Sequence, residues 1–415
     1  MEKSPSNKLF EKNRSKIKQQ LKENSMVVLF SSQNMPRNGD QFHPYRENSD
    51  FFYFTGIEQE NSALILTDKK EYLFIQGQTE NNKLWEGEKL THEKAKKISG
   101  IQNVESITVL EKTFASLTSD KPHVLFNIEQ PIQKKAINTK DEFFFNEYKN
   151  KFPFLSYHTV NGIIKKLRLK KEYEEIELIK QGIDITHKAY NWILQNTHPG
   201  INENELEAGL RYHFQLHHST PAYDPIIASG KNACTLHYID NNAECKEGDL
   251  LLLDIGAETH NYASDISRTI PINGTFSQRQ KECYEAVLEV QKKTINAIEP
   301  GISLFELNQL AKEWLTEKHI ELGLYKRKDL EKEHLTRKYF PHGIGHFMGL
   351  DVHDCGNKNT VFQPGMVLTC EPGIYIPEEG IGIRIEDNIF IDDQAVNLSE
   401  QIPKDIEAIE KNMDS

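Results

Sequence analysis

The sequence predicts an α+β protein of two domains: an N-terminal α/β domain with a mixed sheet over residues 1–165, and a C-terminal domain over 166–415. Three observations carry this. The chain has 415 residues, more than one hydrophobic core ordinarily organises. In the first half, short apolar runs rich in Val, Ile and Phe alternate with helical segments, the pattern of a layered sheet. After the basic run Lys165–Lys171, Glu172 opens a long amphipathic helix, a new start that marks the boundary.

In chain order, residues 1–24 form a polar helix with Phe10, Ile17 and Leu21 on one side, and 26–30 (MVVLF) a buried strand. Residues 31–56 read as a loop dense in polar and aromatic residues. Strands follow at 63–67 and 72–77 around a turn at Asp68–Lys70, then a helix at 92–98, extended runs at 107–110 and 123–127, and a helix over 130–150. In the second domain Ile176, Ile179, Ile183, Ala189 and Ile193 recur at helical spacing until Pro199-Gly200 stops the helix. A helix over 203–218 and a strand ending in IIASG precede a hairpin within Gly248–Ile272. Ser277 and Ser303 are N-caps of helices ending near Ile298 and at 322. Past a polar connection at 326–338, strands at 366–371 and 380–391 close the domain, and the tail from Gln401 is helical.

Composition excludes several classes. The net charge is −12 with no basic block beyond short mixed runs, against a nucleic-acid footprint. Aliphatic runs such as Leu250–Leu253 are far shorter than the roughly 20 residues of a membrane span, and the mean hydropathy is −0.62. The polar N-terminus lacks an apolar signal core. Five cysteines without CxxC spacing fit a reducing compartment. The expectation is a soluble cytoplasmic protein.

The chemistry centres on Asp254 and Asp265, eleven positions apart. A hairpin centred on Thr259/His260 sets them directly opposite one another, where like charges destabilise. No Lys or Arg lies between them. A divalent cation would resolve the conflict, because oxygen-rich sites suit hard metals. One solvated acid, with the other paired to Arg268, is the alternative these residues leave open. In His342-Gly-Ile-Gly-His346 the two glycines disfavour a helix by about 1 kcal/mol each and suit a turn bringing backbone and imidazole close to a ligand. His353 follows. Glu371 ends an apolar strand before Pro372-Gly373 and needs a partner. Arg384 and Glu386 share one strand face, as a buried pair or as part of a site. Four carboxylates and one imidazole in this order match a carboxylate-bridged pair of divalent ions. His217-His218 read as solvated, and Cys370 as core packing.

These motifs resemble the pita-bread metallopeptidases, and among them the aminopeptidase P (Xaa-Pro aminopeptidase) family. The likeness includes ASGKNACTLHY, LLLDIGAETHNYASDISRTIPI, HGIGHFMGLDVHD, GMVLTCEPGIYI, GIGIRIEDNIFI and, in the first half, PYRENSDFFYFTG at 44–56. It implies a pita-bread C-terminal domain and two divalent ions per chain, Mn2+, held by Asp254, Asp265, His346, Glu371 and Glu386. It further implies Glu371 as general base, His353 as donor to the oxyanion, His342 orienting the peptide, His237 contacting substrate near the proline, and Arg384 holding Glu386 or Asp265. Tyr375, Trp85 and Asp40 are the implied substrate-binding residues. The implied substrates are peptides with proline second, and the implied assembly a homodimer or homotetramer. Between Gly356 and Pro364 the chain has NKNTVFQ, without the family's substrate-binding arginine; Lys358 is the available substitute. A prolidase restricted to Xaa-Pro dipeptides and a silent peptide-binding module on the same fold are the alternatives.

Overall fold

The computed structural model describes residues 4–78, 80–128, 139–329 and 335–414. They form two compact units, Ser4–Arg168 and Leu169–Ser415. In the first, β1 (Ser25–Phe30), β2 (Ala63–Thr67), β3 (Glu71–Ile75), β4 (Asn103–Ser106), β5 (His123–Phe126) and β6 (Ser156–Thr159) build one sheet in the order β4-β3-β2-β1-β5-β6. The β1/β2 and β2/β3 pairs are antiparallel, and β1/β5, β3/β4 and β5/β6 parallel, so the sheet is mixed. Met26, Val28, Ile65, Phe74 and Phe126 pack its core with Phe114 and Tyr148. The first helix is Asn7–Lys18 with Phe10 and Ile17 buried; Leu21 lies beyond its end.

Two segments depart from the sequence reading. Residues 49–55, read as loop, are a helix. The Asn48 side chain caps it by accepting from the Asp50 and Phe51 amides, and Gly56 ends it at φ +65°. This helix is buried all round, so no amphipathic period announces it. The run 107–110, read as extended, is a 3-10 turn at Ile107–Val109 leading into a helix at Leu110–Thr118; the strand lies just before it, and Ser106 caps the turn. The helix expected over 130–150 is observed at Lys140–Lys151, its earlier part lying outside the described residues, as do 330–334 of the polar connection.

In the second unit the Tyr173–Asn196 helix buries all five predicted apolar positions, and a Glu172/Glu175 capping box starts it. Ser277 and Ser303 cap Gln278–Asn296 and Leu304–Glu321. Strands β7 (Ile226–Ser229), β8 (Leu250–Ile255) and β9 (Ile266–Pro271) form an antiparallel sheet in that order. Strands β10 (Val367–Cys370), β11 (Gly373–Ile376), β12 (Ile381–Arg384) and β13 (Asp387–Ile391) form two further antiparallel pairs, β10/β13 and β11/β12.

The predicted single strand 380–391 is therefore two. It breaks at Ile385-Glu386, opposite the break that Pro372 imposes after Glu371, and the Glu386 amide leaves its own ladder for the Ser267 carbonyl at 3.0 Å. The hairpin register also differs from expectation. The turn residues are His260 and Asn261, both left-handed at φ +49° and +64°, the combination of a tight two-residue hairpin turn. Asp254 therefore faces Ser267 rather than Asp265. A slide of two residues preserves the face, so both acids still point the same way.

Candidate metal centre

Asp254 stands near the end of β8 and Asp265 just before β9. The stretch 344–348 lies along β10: the Thr369 amide donates to the His346 carbonyl (2.8 Å), the Glu371 amide to Ile344 (2.9 Å) and the Met348 amide to Val367 (3.1 Å). Gly345 makes this possible, since a Cβ there would lie 2.2 Å from the Thr369 carbonyl oxygen. The close approach sets His346 beside Glu371, and the break after β12 turns Glu386 in. The five side chains, with His237, His342, His353 and Arg384, line one cavity of about 400 Å³. Leu236, Ile239, Ile226 and Val352 supply apolar wall.

Asp265, His346 and Glu386 offer ligand atoms within 4.8 Å of one another. His346 Nε2 is 3.3 Å from Asp265 and 3.8 Å from Glu371. Its Nδ1 is 3.2 Å from the Phe347 carbonyl; a proton donated there leaves Nε2 aimed at the carboxylates, as metal-ligating imidazoles are held. The Tyr223 hydroxyl lies 2.7 Å from Asp254 and 2.6 Å from Asp265. It has one proton for two carboxylate oxygens.

The electrostatics show the same shortage of positive charge. Burial, then Asp265 and Glu371, push the Glu386 carboxyl far above the carboxylate range. Burial raises Glu371 to about 7 against the pull of His346 and Arg384. Burial also raises Asp254, opposed by Arg384 and reinforced by Asp265. Burial would raise Asp265 too, but hydrogen bonding and charge from His346 bring it below its usual value. Burial works against a charged His346, yet Asp265 and Glu371 lift it to about 9. Four carboxylates thus share one arginine and one imidazolium, and the donor set of oxygens plus one imidazole fits divalent cations.

Behind this cluster, Arg384 donates to Asp254 (2.5 Å), Ser267 Oγ (2.8 Å) and Tyr375 Oη (2.9 Å), and Ser267 Oγ donates to Glu386 (2.7 Å). Arg384 therefore holds Asp254 directly and Glu386 through Ser267, not Asp265. Arg268 is turned to the opposite side of β9 and pairs with Asp387, not with either metal-site aspartate. Tyr375 is buried, and its hydroxyl lies 2.8 Å from His342 Nε2; it backs the site and is absent from the cavity lining. His342 Nδ1 is 2.8 Å from the Gly343 carbonyl, and burial, aided by Arg384, lowers its pKa to about 3. It is a neutral ring with both nitrogens engaged by protein.

His353 packs edge-on against His346 with ring centroids 4.2 Å apart, and His353 and His237 are solvent-accessible at the cavity rim. Trp85 and Asp40 are exposed residues of the first unit, and Lys358 is exposed in the second. Cys370 is fully buried, as read. Sequence reading does not single out Tyr223, Ser267 or Thr369. Tyr223 precedes Pro225 and β7 in a segment whose only sequence signal is a turn.

Comparisons with known proteins agree with this geometry. Residues 177–393 match metallopeptidase family M24, and residues 10–126 match the aminopeptidase P N-terminal domain. The Xaa-Pro aminopeptidase of Haemophilus influenzae is 35% identical over 430 residues, covering 97% of this chain and 96% of its own. That of Escherichia coli is 31% identical, covering 97% of each. Among solved structures, E. coli aminopeptidase P with the inhibitor Pro-Leu matches at a TM-score of 0.90 and 31% identity over 99% of both chains. A Bacillus anthracis chain assigned as an aminopeptidase P matches at 0.94 and 37%, again over 99% of both. With its aminopeptidase P-type first unit, its pita-bread second unit and full-length relatives of this kind, the chain belongs to metallopeptidase family M24 as a hydrolase of the Xaa-Pro aminopeptidase family.

Proposed function

We propose that the chain is a dinuclear metal-dependent aminopeptidase that releases the first residue from peptides with proline second, using Mn2+. The observation carrying this reading is the convergence of Asp254, Asp265, His346, Glu371 and Glu386 on one cavity rimmed by His237 and His353. Two divalent ions held by those five side chains would polarise the scissile carbonyl and make a water nucleophilic near neutral pH.

The chain's own groups divide the remaining work. Glu371 takes the proton of the attacking water as general base, a role suited to a carboxyl whose proton affinity burial has raised. His353 donates to the developing oxyanion, and His237 contacts the substrate on the proline side. Neutral His342, fixed by Tyr375 and Gly343, gives the cavity a rigid wall. Arg384 steadies Asp254, and through Ser267 steadies Glu386, so that the ligand geometry survives turnover. Proline preference is supported by the relatives' activity and by the Pro-Leu inhibitor of the E. coli protein.

Full-length likeness to aminopeptidases favours longer peptides over dipeptides alone. The five cysteines, all without disulfides, support a cytoplasmic setting, and the family likeness supports a homodimer or homotetramer. The test is direct. Mn-loaded protein should carry two ions per chain by elemental analysis and release the first residue from an Xaa-Pro-Pro tripeptide. Cleavage of Xaa-Pro dipeptide with none of the tripeptide would make it a prolidase, and no hydrolysis of either would end the enzymatic reading.

A further inference from the structure

His237 reaches the cavity from the irregular segment between β7 and β8, where residues 235–243 have no regular secondary structure. One buried group outside the cavity gathers that segment. Glu203, the first residue of the Glu203–Leu216 helix, is 0% exposed. Its Oε1 accepts from the Ser229 amide (2.6 Å), Ser229 Oγ (2.6 Å) and Asn232 Nδ2 (3.2 Å). Its Oε2 accepts from Tyr238 Oη (2.7 Å) and the Ala243 amide (2.9 Å). Five donors occupy the two oxygens, which is what allows a carboxylate to be buried at all.

All five donors belong to residues 229–243. They include both ends of the segment and Tyr238, the neighbour of His237. The Glu203 amide also donates to the Ala243 carbonyl (2.9 Å). Asn241 ties the returning limb to Glu207 (2.9 Å) and to the Pro225 carbonyl (2.8 Å). By contrast, the helix elsewhere presents ordinary apolar packing through Leu206, Leu210 and Phe214.

We propose that Glu203 is a positioning residue for the reaction: it fixes the 229–243 segment so that His237 stands at its place on the cavity rim. The proposal rests on the reading above that His237 contacts substrate. Misplacing a substrate-contacting group by about 1 Å can cost on the order of a hundredfold in rate, and Glu203 is the point at which that displacement is prevented.

The test is a double-mutant cycle on the full-length, Mn-loaded protein with an Xaa-Pro-Pro peptide. Glu203→Gln turns one acceptor oxygen into a donor facing other donors. It should lower kcat/KM by about tenfold or more, with two ions per chain retained. In a His237→Ala background the same change should cost less than about twofold. Tyr238→Phe, which removes one of the five bonds and tests a chain certain to keep the carboxylate, should lower turnover in the same direction, less steeply, and should also lose its effect without His237. A Glu203→Gln or Tyr238→Phe loss that persists undiminished in the His237→Ala background overturns the proposal alone, as does parental activity in both variants. Parental activity in His237→Ala overturns the assignment of His237 and the proposal with it.

Discussion

Replacing Arg268 by Met should lower the melting temperature of the metal-free chain by about 10 °C. Arg268 is 1% exposed and does not line the cavity, yet all its nitrogens are engaged. Nε donates to the Pro403 carbonyl (3.0 Å), Nη1 to the Ser267 (2.9 Å) and Glu386 (2.6 Å) carbonyls, and Nη2 to Asp387 Oδ1 (2.8 Å) and the Ile402 carbonyl (3.1 Å). Asp387, fully buried, also receives Ser399, Gln291, Asn397 and Lys404. Methionine fills much of the volume but supplies no donor, so four carbonyls and part of a carboxylate lose partners inside the protein. Breaking one side of a buried pair typically costs about 3–5 kcal/mol. In a unit of this size each kcal/mol moves the melting point by roughly 2–4 °C, which gives the figure above. Arg268→Lys should recover little, because a single ammonium cannot replace a planar fork. Thermal unfolding followed by circular dichroism, at matched scan rates, measures this. A shift under about 2 °C in Arg268→Met would refute the view that this arginine locks Glu386 and the start of β13 to the C-terminal segment.

Two further outcomes follow from the same structure. Asp254→Ala and Asp265→Ala should abolish metal binding and hydrolysis while the chain still folds. The metal-free melting point should fall by a few degrees, because Asp254→Ala takes a carboxylate from Arg384 and Asp265→Ala one from His346, a loss that relief of the repulsion among the remaining acids offsets only in part. Added Mn2+ at about a hundredfold over Kd should stabilise the parent by about 2.7 kcal/mol and leave these variants unmoved; a metal-replete, active variant would contradict the ligand assignment. Separately, His319 is buried with Nδ1 3.1 Å from Tyr325 Oη and Nε2 without a hydrogen-bond partner, and burial lowers its pKa to about 4. The unfolded chain, titrating near 6.5, binds the proton more readily, so stability is full above that value and declines as pH falls toward 4. Between pH 7 and pH 5 this group should account for about 2 kcal/mol of lost stability, visible as a shallower pH dependence of the urea midpoint in His319→Phe. Identical pH dependence in both proteins would remove His319 from the account.

Much of this architecture is legible in the sequence because local and global signals agree. The apolar stripe from Ile176 to Ile193, the serine caps and the strands around Asp68–Lys70 each carry a period or a punctuation residue. The candidate ligands are legible as well, since acids at ends of apolar runs are costly unless something binds them. The helix at Ser49–Thr55 escapes because burial on every side erases its period, leaving only Asn48 and Gly56 to mark it. The hairpin register escapes because left-handed His260 and Asn261 look like any polar pair. The split at Ile385-Glu386 has no breaker of its own: Pro372, thirteen positions earlier, imposes it across the sheet. Tyr223 and Glu203 escape for a related reason. Their roles are created by partners distant in sequence, which no local pattern records.

The five candidate ligands span Asp254 to Glu386 and come from the β8/β9 hairpin, the 344–348 stretch along β10, and the breaks that follow β10 and β12. No short stretch of chain can assemble them, so a cation could not template the fold early. It would enter only after β8, β10 and β12 have docked, at the end of a slow, non-local search. Such an ion acts as a late latch: it would hold the finished structure shut by slowing its opening, while leaving the speed at which the chain first finds that structure almost unchanged.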